Sequence, residues 1–344
     1  MKALLFPANL RDEQQRLLKN LGIDPGDSKA LAASVKQLSD FYVKHPEKST
    51  PWRESWAQVA YLIYYLPLNW WRACGVLRRG QQLNFFEGFD HYIDFGSGLG
   101  SVSHALDEMG IRFKSGLCLE QGREAISHHQ ALAKDSLTPL SWQSDGSIPV
   151  IKPKTLGIFS YSLTELQSLP NWVGQCDGLL IMEPSTRDDA RRLQNLRSEL
   201  MNGGWYVWGP CTHAEPCPML LTGDRDWCHD RFVWEQPSWL KSVEDCLPMK
   251  NGTLPCAWMM FKKIPPAHQV PAMARVTGDL LEHKGYAKQL VCRGSSREFL
   301  SWQKKIFKRY PEVERGALVT INQDVVIKGD ELRLSSADDL VVLK

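Results

Sequence analysis

The feature that most restricts the fold of this chain is an alternation of short apolar segments with helical patterns between residues 89 and 263. Such an alternation is typical of parallel strands that are joined by crossover helices. The predicted strands cover residues 91–94, 115–120, 155–161, 176–183, 204–209 and 256–263. The sequence therefore predicts an α/β fold whose core is a Rossmann-like, mainly parallel sheet.

The regions on either side of this core have different patterns. Residues 1–88 place apolar side chains at three- and four-residue steps, which indicates helices. After Pro265 and Pro266, β-branched residues alternate with polar ones between tight turns, which indicates short strands. We therefore predict three parts: a helical N-terminal region at 1–88, the Rossmann-like core at 89–263, and a small, basic, β-rich C-terminal module at 264–344.

Composition restricts the partners and the location. The 344 residues carry a net charge of +2, so a nucleic-acid-binding surface, if present, must be local. The longest apolar stretch, at 60–71, is much shorter than the ~20 residues that span a bilayer. We therefore expect a cytoplasmic protein with no membrane partner.

A glycine-rich loop follows the first predicted strand. It contains Asp94, Gly96, Ser97, Gly98 and Gly100, and a helical pattern begins directly after it. Glycine lets the backbone turn sharply and approach a ligand closely, and the start of a helix offers unpaired amide donors. We therefore predict that these five residues bind a nucleotide-type cofactor. A structural tight turn is the alternative interpretation.

Polar residues at the ends of later strands extend the predicted site. Glu120 ends the next strand, where a carboxylate can accept hydrogen bonds from both ribose hydroxyls. Asp145 follows a predicted third strand and is placed to receive an adenine amine, although a turn also explains it. Ser160 lies near the end of the strand at 155–161, where the transferred group would be exposed.

The glycine spacing distinguishes between two classes of cofactor. The dinucleotide fingerprint has a further glycine three residues after its second, and this chain lacks it. An aspartate two residues before Gly96 suits S-adenosylmethionine, whose amino and sulfonium groups are cationic and which has no pyrophosphate. We therefore predict S-adenosylmethionine, with a nicotinamide dinucleotide as the alternative. No general base is identified, so catalytic residues stay unassigned.

Three cysteines, Cys211, Cys217 and Cys228, lie in the stretch PCTHAEPCPMLLTGDRDWCH. Because thiols stay reduced in a chain without an export signal, clustered cysteines indicate a metal or catalysis. Structural zinc sites contain closely spaced ligand pairs, and this chain has no CxxC, so the wide spacing favours an iron–sulfur cluster over zinc. The candidate fourth ligands are Cys246, Cys256, Cys292, His213 and His229.

Two other interpretations of these cysteines stay open. Cysteine is common in protein cores, so all three thiols can be buried without a ligand. Alternatively, Cys211 or Cys217, each preceded by proline, is the nucleophile that activates C5 of a pyrimidine.

Several motifs together indicate a family. The stretches DFGSGLG, SYSLTEL, IMEPST, PCTHAEPCP…DWCH and KGYAKQLVC resemble those of the methyltransferase-like small-ribosomal-subunit assembly factors of mitochondria and their bacterial relatives. The resemblance implies a class I S-adenosylmethionine-dependent methyltransferase fold that binds small-subunit ribosomal RNA. It also implies a [4Fe-4S] cluster held by four cysteines, which match Cys211, Cys217, Cys228 and Cys292.

The chain departs from the family pattern at Thr212, Ala214 and Thr164. The resemblance therefore implies either an RNA methyltransferase or a non-catalytic assembly factor that clamps RNA, acting on the pre-ribosomal small subunit. A zinc-stabilised RNA-binding protein is the third hypothesis. We expect the protein to be a monomer when it is free.

A basic run near the C-terminus favours an RNA partner. Its aromatic residues can stack on unpaired bases, and its cations can contact phosphates. The basic residues are Lys284, Lys288, Arg293, Arg297, Lys304, Lys305, Lys308 and Arg309, against the single acid Glu298. The aromatic residues are Tyr286, Phe299, Trp302, Phe307 and Tyr310. The alternative interpretation is a solvated helix face in SREFLSWQKKIFKRY.

Overall fold

The computed structural model of the chain describes residues 4–45, 47–166, 168–221, 223–267, 272–307 and 313–343. Its α-helices are α1 (Ala8–Asn20), α2 (Ser28–Lys44), α3 (Ser55–Ala60), α4 (Leu66–Gln82), α5 (Ser101–Glu108), α6 (Arg123–Leu132), α7 (Arg187–Asn202), α8 (Pro218–Leu221) and α9 (Ser238–Asp245). A π-helical turn, Tyr61–Tyr65, lies between α3 and α4.

The strands fall into two groups along the chain. The first group is β1 (His91–Phe95), β2 (Ser115–Leu119), β3 (Leu140–Gln143), β4 (Thr155–Ser160), β5 (Gly178–Glu183), β6 (Tyr206–Gly209), β7 (Asp230–Phe232) and β8 (Leu254–Lys262). The second group is β9 (Met273–Val276), β10 (Leu281–Glu282), β11 (Tyr286–Cys292), β12 (Glu298–Gln303), β13 (Leu318–Ile321), β14 (Val326–Lys328), β15 (Glu331–Leu334) and β16 (Leu340–Val342).

The chain divides into two compact units. Unit 1 consists of Met1–Gln81, Phe86–Met182 and Phe232–Leu254. Unit 2 consists of Gln82–Phe85, Glu183–Arg231 and Pro255–Lys344. The glycine loop belongs to unit 1, and the four predicted cluster cysteines all belong to unit 2.

Unit 1 is built on parallel strands in the order β3-β2-β1-β4-β5. No residue of β4 or β5 is exposed, as expected for strands that are covered on both faces. The sequences of these two strands are accordingly almost continuously apolar. The strand order reverses between β1 and β4, and ligands bind at the carboxyl ends of strands at such a point. This topology confirms the predicted α/β fold with a Rossmann-like, mainly parallel core.

The helices of the N-terminal region bury one face each. In α2, Leu31, Val35 and Leu38 recur at three- and four-residue steps and are all buried. The helix begins at a cap, because Asp27 accepts hydrogen bonds from the amides of Lys29 (3.1 Å) and Ala30 (3.0 Å). The described residues contain no helix with the length and apolar character that crossing a bilayer requires.

Unit 2 contains a second sheet with the strand order β14-β15-β12-β11-β9-β13-β16. One face of this sheet buries an apolar cluster that includes Val291, Leu300 and Trp302. The basic run lies on β11, β12 and the turn after them, so the segment Glu298–Gln303 is a strand and the helix-face interpretation is wrong there. Lys308, Arg309 and Tyr310 lie outside the described residues.

Candidate functional site

The turn between β1 and α5 can be made only with glycine at two positions. Gly100 has φ +77°, and a Cβ there would lie 2.0 Å from Nε2 of His129. Gly96 has φ +65°, and a Cβ there would lie 2.8 Å from the Cβ of Ser162. Because both positions combine a left-handed backbone with a close neighbour, any other residue would distort the loop. The sequence indicated the glycines, but not the side chains packed against them.

Asp94, in β1, provides a buried carboxylate beside this loop. Its residue is 1% exposed, and its Oδ1 atom has no hydrogen-bond partner among the described residues. Burial raises the pKa of Asp94 to about 8, and the charge of Glu120 adds to the effect. A carboxyl group kept neutral by burial ionises when a cation approaches, so Asp94 is suited to bind a cationic ligand group.

Glu120 follows β2 and faces the same loop. Its Oε2 accepts a hydrogen bond from the amide of Gly98 at 3.0 Å, and its Oε1 accepts one from the amide of Gly122 at 2.7 Å. Burial raises its pKa despite these bonds. Each carboxylate oxygen has a second lone pair, so both can still accept a hydroxyl hydrogen bond.

Asp145 and Ser160 are placed differently. Asp145 is exposed, and its Oδ1 accepts hydrogen bonds from the amide and the hydroxyl of Ser147, at 3.0 and 2.8 Å. This geometry is that of a turn residue, which is the alternative that the sequence left open. Ser160 is the last residue of β4 and is half-buried. A role for either residue in cofactor binding stays a prediction.

Two aromatic residues of the N-terminal region border the glycine loop, and they are not among the site residues predicted from the sequence. A Cβ on Gly122 would lie 2.2 Å from Cδ1 of Trp52, and one on Gly98 would lie 3.5 Å from the Tyr61 hydroxyl. The rings of Trp52 and Tyr61 are 4.7 Å apart. Burial, together with the charge of Glu120, raises the pKa of Tyr61. The dense aromatic residues between 52 and 71 were the signal that could have indicated this wall.

A third acid lies near the loop. Glu165, in the SYSLTEL stretch, accepts a hydrogen bond from the Ser49 hydroxyl at 2.9 Å. Burial raises the pKa of Glu165, and its charge in turn contributes to the raised pKa of Glu120 and of Tyr61. The site in unit 1 is therefore acidic, partly buried and lined with aromatic rings, as expected for a cationic ligand with a flat base.

The four predicted cluster cysteines line one cavity in unit 2. Its lining residues are Gln194, Arg197, Pro210, Cys211, His213, Cys217, Met219, Cys228, Met259, Arg275, Thr277 and Cys292. Burial raises the pKa of the Cys292 thiol, and the sulfurs of Cys211, Cys228 and Cys217 raise it further. The structure thus brings together a thiol from β11 and three from the loop after β6.

The other candidate fourth ligands have different surroundings. Cys246 is exposed and lies in unit 1. His229 receives its hydrogen bonds from Arg315, which donates to its backbone oxygen at 2.9 Å. His213 lines the cavity, with Nε2 3.2 Å from the sulfur of Cys292. Cys256 is buried, with its sulfur 3.4 Å from the backbone oxygen of Ala257. The placement thus favours Cys292, with His213 beside it.

Metal binding by these cysteines stays a prediction. None of the nine cysteines forms a disulfide, so the four thiols in the cavity are chemically available as ligands. Among the described side chains, however, no set of three or more histidine, cysteine, aspartate or glutamate residues forms a group that could hold a metal ion.

Several members of the basic run are already paired. Arg293 donates to both carboxylate oxygens of Glu298, and Arg297 forms an ion pair with Asp226 at 2.7 Å. The side chains of Phe299, Trp302 and Phe307 are buried, so they pack inside the module. Lys284 and Lys305 are exposed. A basic surface for RNA must therefore use the exposed lysines rather than the whole run.

Comparison with known proteins identifies the family. A family model described as the mitochondrial small ribosomal subunit Rsm22 matches residues 55–238, which is more than half of the chain. The chain belongs to this family. The resemblance that the motifs indicated is thereby confirmed, and the Rsm22 match includes the glycine loop, Glu120 and the first three cysteines. No curated protein sequence matches the chain.

The solved structures that match this chain are only weakly similar to it. PH1948 of Pyrococcus horikoshii is 14% identical, with 56% of this chain and 84% of that chain covered and a TM-score of 0.36. TrmK of M. capricolum, solved with S-adenosylhomocysteine, is 9% identical, with coverage of 56% and 70% and a TM-score of 0.34. The precorrin-6y C5,15-methyltransferase of Geobacter metallireducens is 12% identical, with coverage of 54% and 88% and a TM-score of 0.34.

Proposed function

We propose that this protein binds S-adenosylmethionine and an iron–sulfur cluster and acts on small-subunit ribosomal RNA during ribosome assembly, in the cytoplasm and as a monomer when free. The observation that carries the proposal is the cavity in unit 2, where four cysteines from two separate segments of a ribosomal-family chain meet. Because Cys292 is more than sixty residues beyond Cys228, ordinary core packing does not require these thiols to converge.

The residues of unit 1 fit S-adenosylmethionine. The Asp94 carboxylate would bind the cationic amino group, and Glu120 would accept hydrogen bonds from the ribose hydroxyls. Gly96, Gly98 and Gly100 let the backbone approach the ligand, while Trp52 offers an aromatic face beside it. The bound cofactor supplies an electrophilic methyl group. Replacing Gly98 by arginine should abolish cofactor binding in calorimetry.

The cavity of unit 2 fits an anionic cluster better than a single zinc ion. Zinc–sulfur bonds of ~2.3 Å draw four sulfurs to within roughly 4 Å of one another. A cluster with several irons accommodates a wider set of thiolates. Among the described residues that line the cavity, the charged ones are Arg197 and Arg275, and cations stabilise an anionic centre.

Methyl transfer and RNA clamping are distinguished by one experiment. Immature small subunits are incubated with the protein and with S-adenosylmethionine that carries a labelled methyl group. Label in the RNA, lost with Asp94→Asn, supports a methyltransferase. Stable binding without label supports a non-catalytic assembly factor, and no binding to the subunits contradicts the proposal.

The exposed lysines of the C-terminal module are the predicted phosphate contacts. The double variant Lys284→Glu and Lys305→Glu should weaken binding to small-subunit RNA and reduce the dependence of log Kd on log salt by about two, one for each lost contact. Lys44→Glu, an exposed lysine of α2, is the matched control and should leave both unchanged. An unaltered salt dependence in the double variant would show that these two lysines do not contact RNA phosphates.

A further inference from the structure

A buried arginine joins the cysteine cavity to a buried acid. Arg275, in β9, is 2% exposed, and its Nη1 atom donates a hydrogen bond to the sulfur of Cys228 at 2.9 Å. Its Nη2 atom donates to Oδ1 of Asp230, which is completely buried. The other oxygen of Asp230 accepts a hydrogen bond from Nε1 of Trp258 at 2.7 Å. The guanidinium is therefore fixed from one side while it contacts a predicted ligand on the other.

The charges around the cavity do not cancel when its thiols are neutral. Asp230 compensates Arg275, but no carboxylate among the described residues forms an ion pair with Arg197. The Nη2 atom of Arg197 donates to the backbone oxygens of His213 (2.7 Å) and Glu215 (3.0 Å), which carry no formal charge. A buried cation costs free energy unless an anion lies nearby. A centre built from four thiolates supplies that anion.

The packing around Asp230 explains why this ion pair keeps one position. A Cβ on Gly316 would lie 2.5 Å from Oδ1 of Asp230, so the loop that carries Gly316 encloses the carboxylate closely. A carboxylate held by a cation, an indole N–H and a closely packed backbone has little freedom to turn. The direction of the Arg275 guanidinium toward Cys228 is consequently fixed before any metal binds.

We propose that Arg275, oriented by Asp230, is a positioning residue that holds the Cys228 sulfur and sets the reduction potential of the cluster. The inference rests on the proposed function. Hydrogen bonds to ligating sulfurs and nearby positive charge both favour the reduced, more negative state of an iron–sulfur cluster. Arg275 supplies both at one sulfur, so its removal should make the cluster harder to reduce.

Arg315 is the other arginine near Cys228, and its contacts differ. Its Nε atom donates to the backbone oxygen of His229 at 2.9 Å, and its Nη1 atom lies 3.7 Å from Asp279. Asp279 is half exposed, so this pair is solvated, whereas Arg275 and Asp230 are buried. Of these two arginines, Arg275 therefore acts more strongly on the Cys228 sulfur.

The test uses three variants of the full chain purified without oxygen. Arg275→Lys keeps the charge but cannot contact Cys228 and Asp230 with a planar fork. Arg275→Met combined with Asp230→Asn removes both charges, so no unpaired carboxylate stays buried, and the amide oxygen can still accept from Trp258. Arg333→Gln is the control, because Arg333 is partly exposed and pairs with Glu331 in the same sheet at 3.2 Å.

Iron content, circular dichroism and a mediated potentiometric titration are measured for each protein, with dithionite as the one-electron donor to the cluster. The double variant leaves the net charge unchanged but removes the N–H donor to the Cys228 sulfur. It should therefore shift the oxidised-to-reduced equilibrium about tenfold toward the oxidised state, which is about 59 mV for a one-electron couple. Arg275→Lys should shift it less, and Arg333→Gln should not shift it.

The outcomes separate the two proposals. A folded double variant that loses iron supports the positioning role, since Cys228 is then no longer held. Equal iron content with an unchanged potential in both Arg275 variants overturns the inference while the cluster itself stands. Native protein without iron overturns the proposed function, and the inference with it.

Discussion

At the scale of the single residue, Asp94 is the group whose chemistry depends most on its surroundings. The sequence placed an aspartate two residues before the first loop glycine, which was enough to suggest a cation-binding carboxylate. It could not indicate that the residue is 1% exposed with an unpaired oxygen, because burial depends on segments that come together only in the fold, such as β2 and β4 on either side of β1.

Asp94 predicts a pH-dependent cofactor affinity. Its folded-state pKa is raised to about 8 by burial, so the ligand-free site is mostly protonated at neutral pH. A cationic ligand binds the ionised form, so a proton must leave on binding and affinity should rise with pH until about 8. Calorimetry should give about tenfold tighter S-adenosylmethionine binding at pH 7.5 than at pH 6.5.

Two variants check the assignment of this pH dependence. Asp94→Asn should bind the cofactor weakly and with little change between the two pH values. Asp145→Asn, an exposed turn residue, should keep the native pH dependence. A native affinity that is equal at both pH values would mean that Asp94 does not bind the cation.

The sequence was equally unable to indicate the burial of the two arginines that line the cysteine cavity. Nothing in the spacing of the sequence distinguishes Arg197 and Arg275 from the other basic residues of this chain. Only folding reveals that both are at most 2% exposed beside four thiols. The clustering of Cys211, Cys217 and Cys228, by contrast, is visible in the sequence, and the family resemblance indicated Cys292.

At the scale of the element, the β1–α5 turn was predicted well because glycine spacing reports directly on backbone conformation. The segment after Ser295 was harder, since its apolar residues fit both a helix and a strand. Glu298–Gln303 forms a strand rather than a helix, because it pairs with β11 and β15. Long-range pairing of this kind is not visible in a local pattern.

The turn itself can be tested by two glycine substitutions that share a backbone conformation. Gly100→Ala places a Cβ 2.0 Å from Nε2 of His129 at φ +77°, whereas Gly110→Ala, at φ +67°, meets nothing within 4 Å. Both variants incur the left-handed backbone cost of about 1–2 kcal/mol. Gly100→Ala should lose about 1–3 kcal/mol more of the free energy of unfolding, because its clash is with a buried ring.

Denaturant unfolding of the two variants measures this difference. Cofactor binding should also fall only in Gly100→Ala, since the loop must move to relieve the clash. Equal stability of the two variants would show that the close packing of His129 against the loop is absent in solution.

At the scale of the whole molecule, the predicted strands and the parallel sheet of the core agree with the structure. The compact units, however, are each built from segments that are separate in the sequence. Residues 183–231 and 255–344 are joined in unit 2 although the segment between them belongs to unit 1. Sequence composition alone does not reveal such an interleaved arrangement, because each stretch is locally ordinary.

A cluster that links two segments of unit 2 should contribute to its stability. Cys292→Ser removes the ligand from β11, so the variant should lose its iron and melt at a lower temperature than the native protein. Cys246→Ser is the matched control, because that thiol is exposed and lies outside the cavity. Thermal unfolding followed by circular dichroism, with iron analysis of each sample, tests this. Full iron retention by Cys292→Ser would exclude Cys292 as a ligand.

The most direct measurement is the metal content of freshly isolated protein, purified without oxygen, together with its visible spectrum. A cluster held by Cys211, Cys217, Cys228 and Cys292 predicts a brown protein with about four irons and four acid-labile sulfides per chain. One zinc per chain with no iron, or no metal at all, would contradict the account.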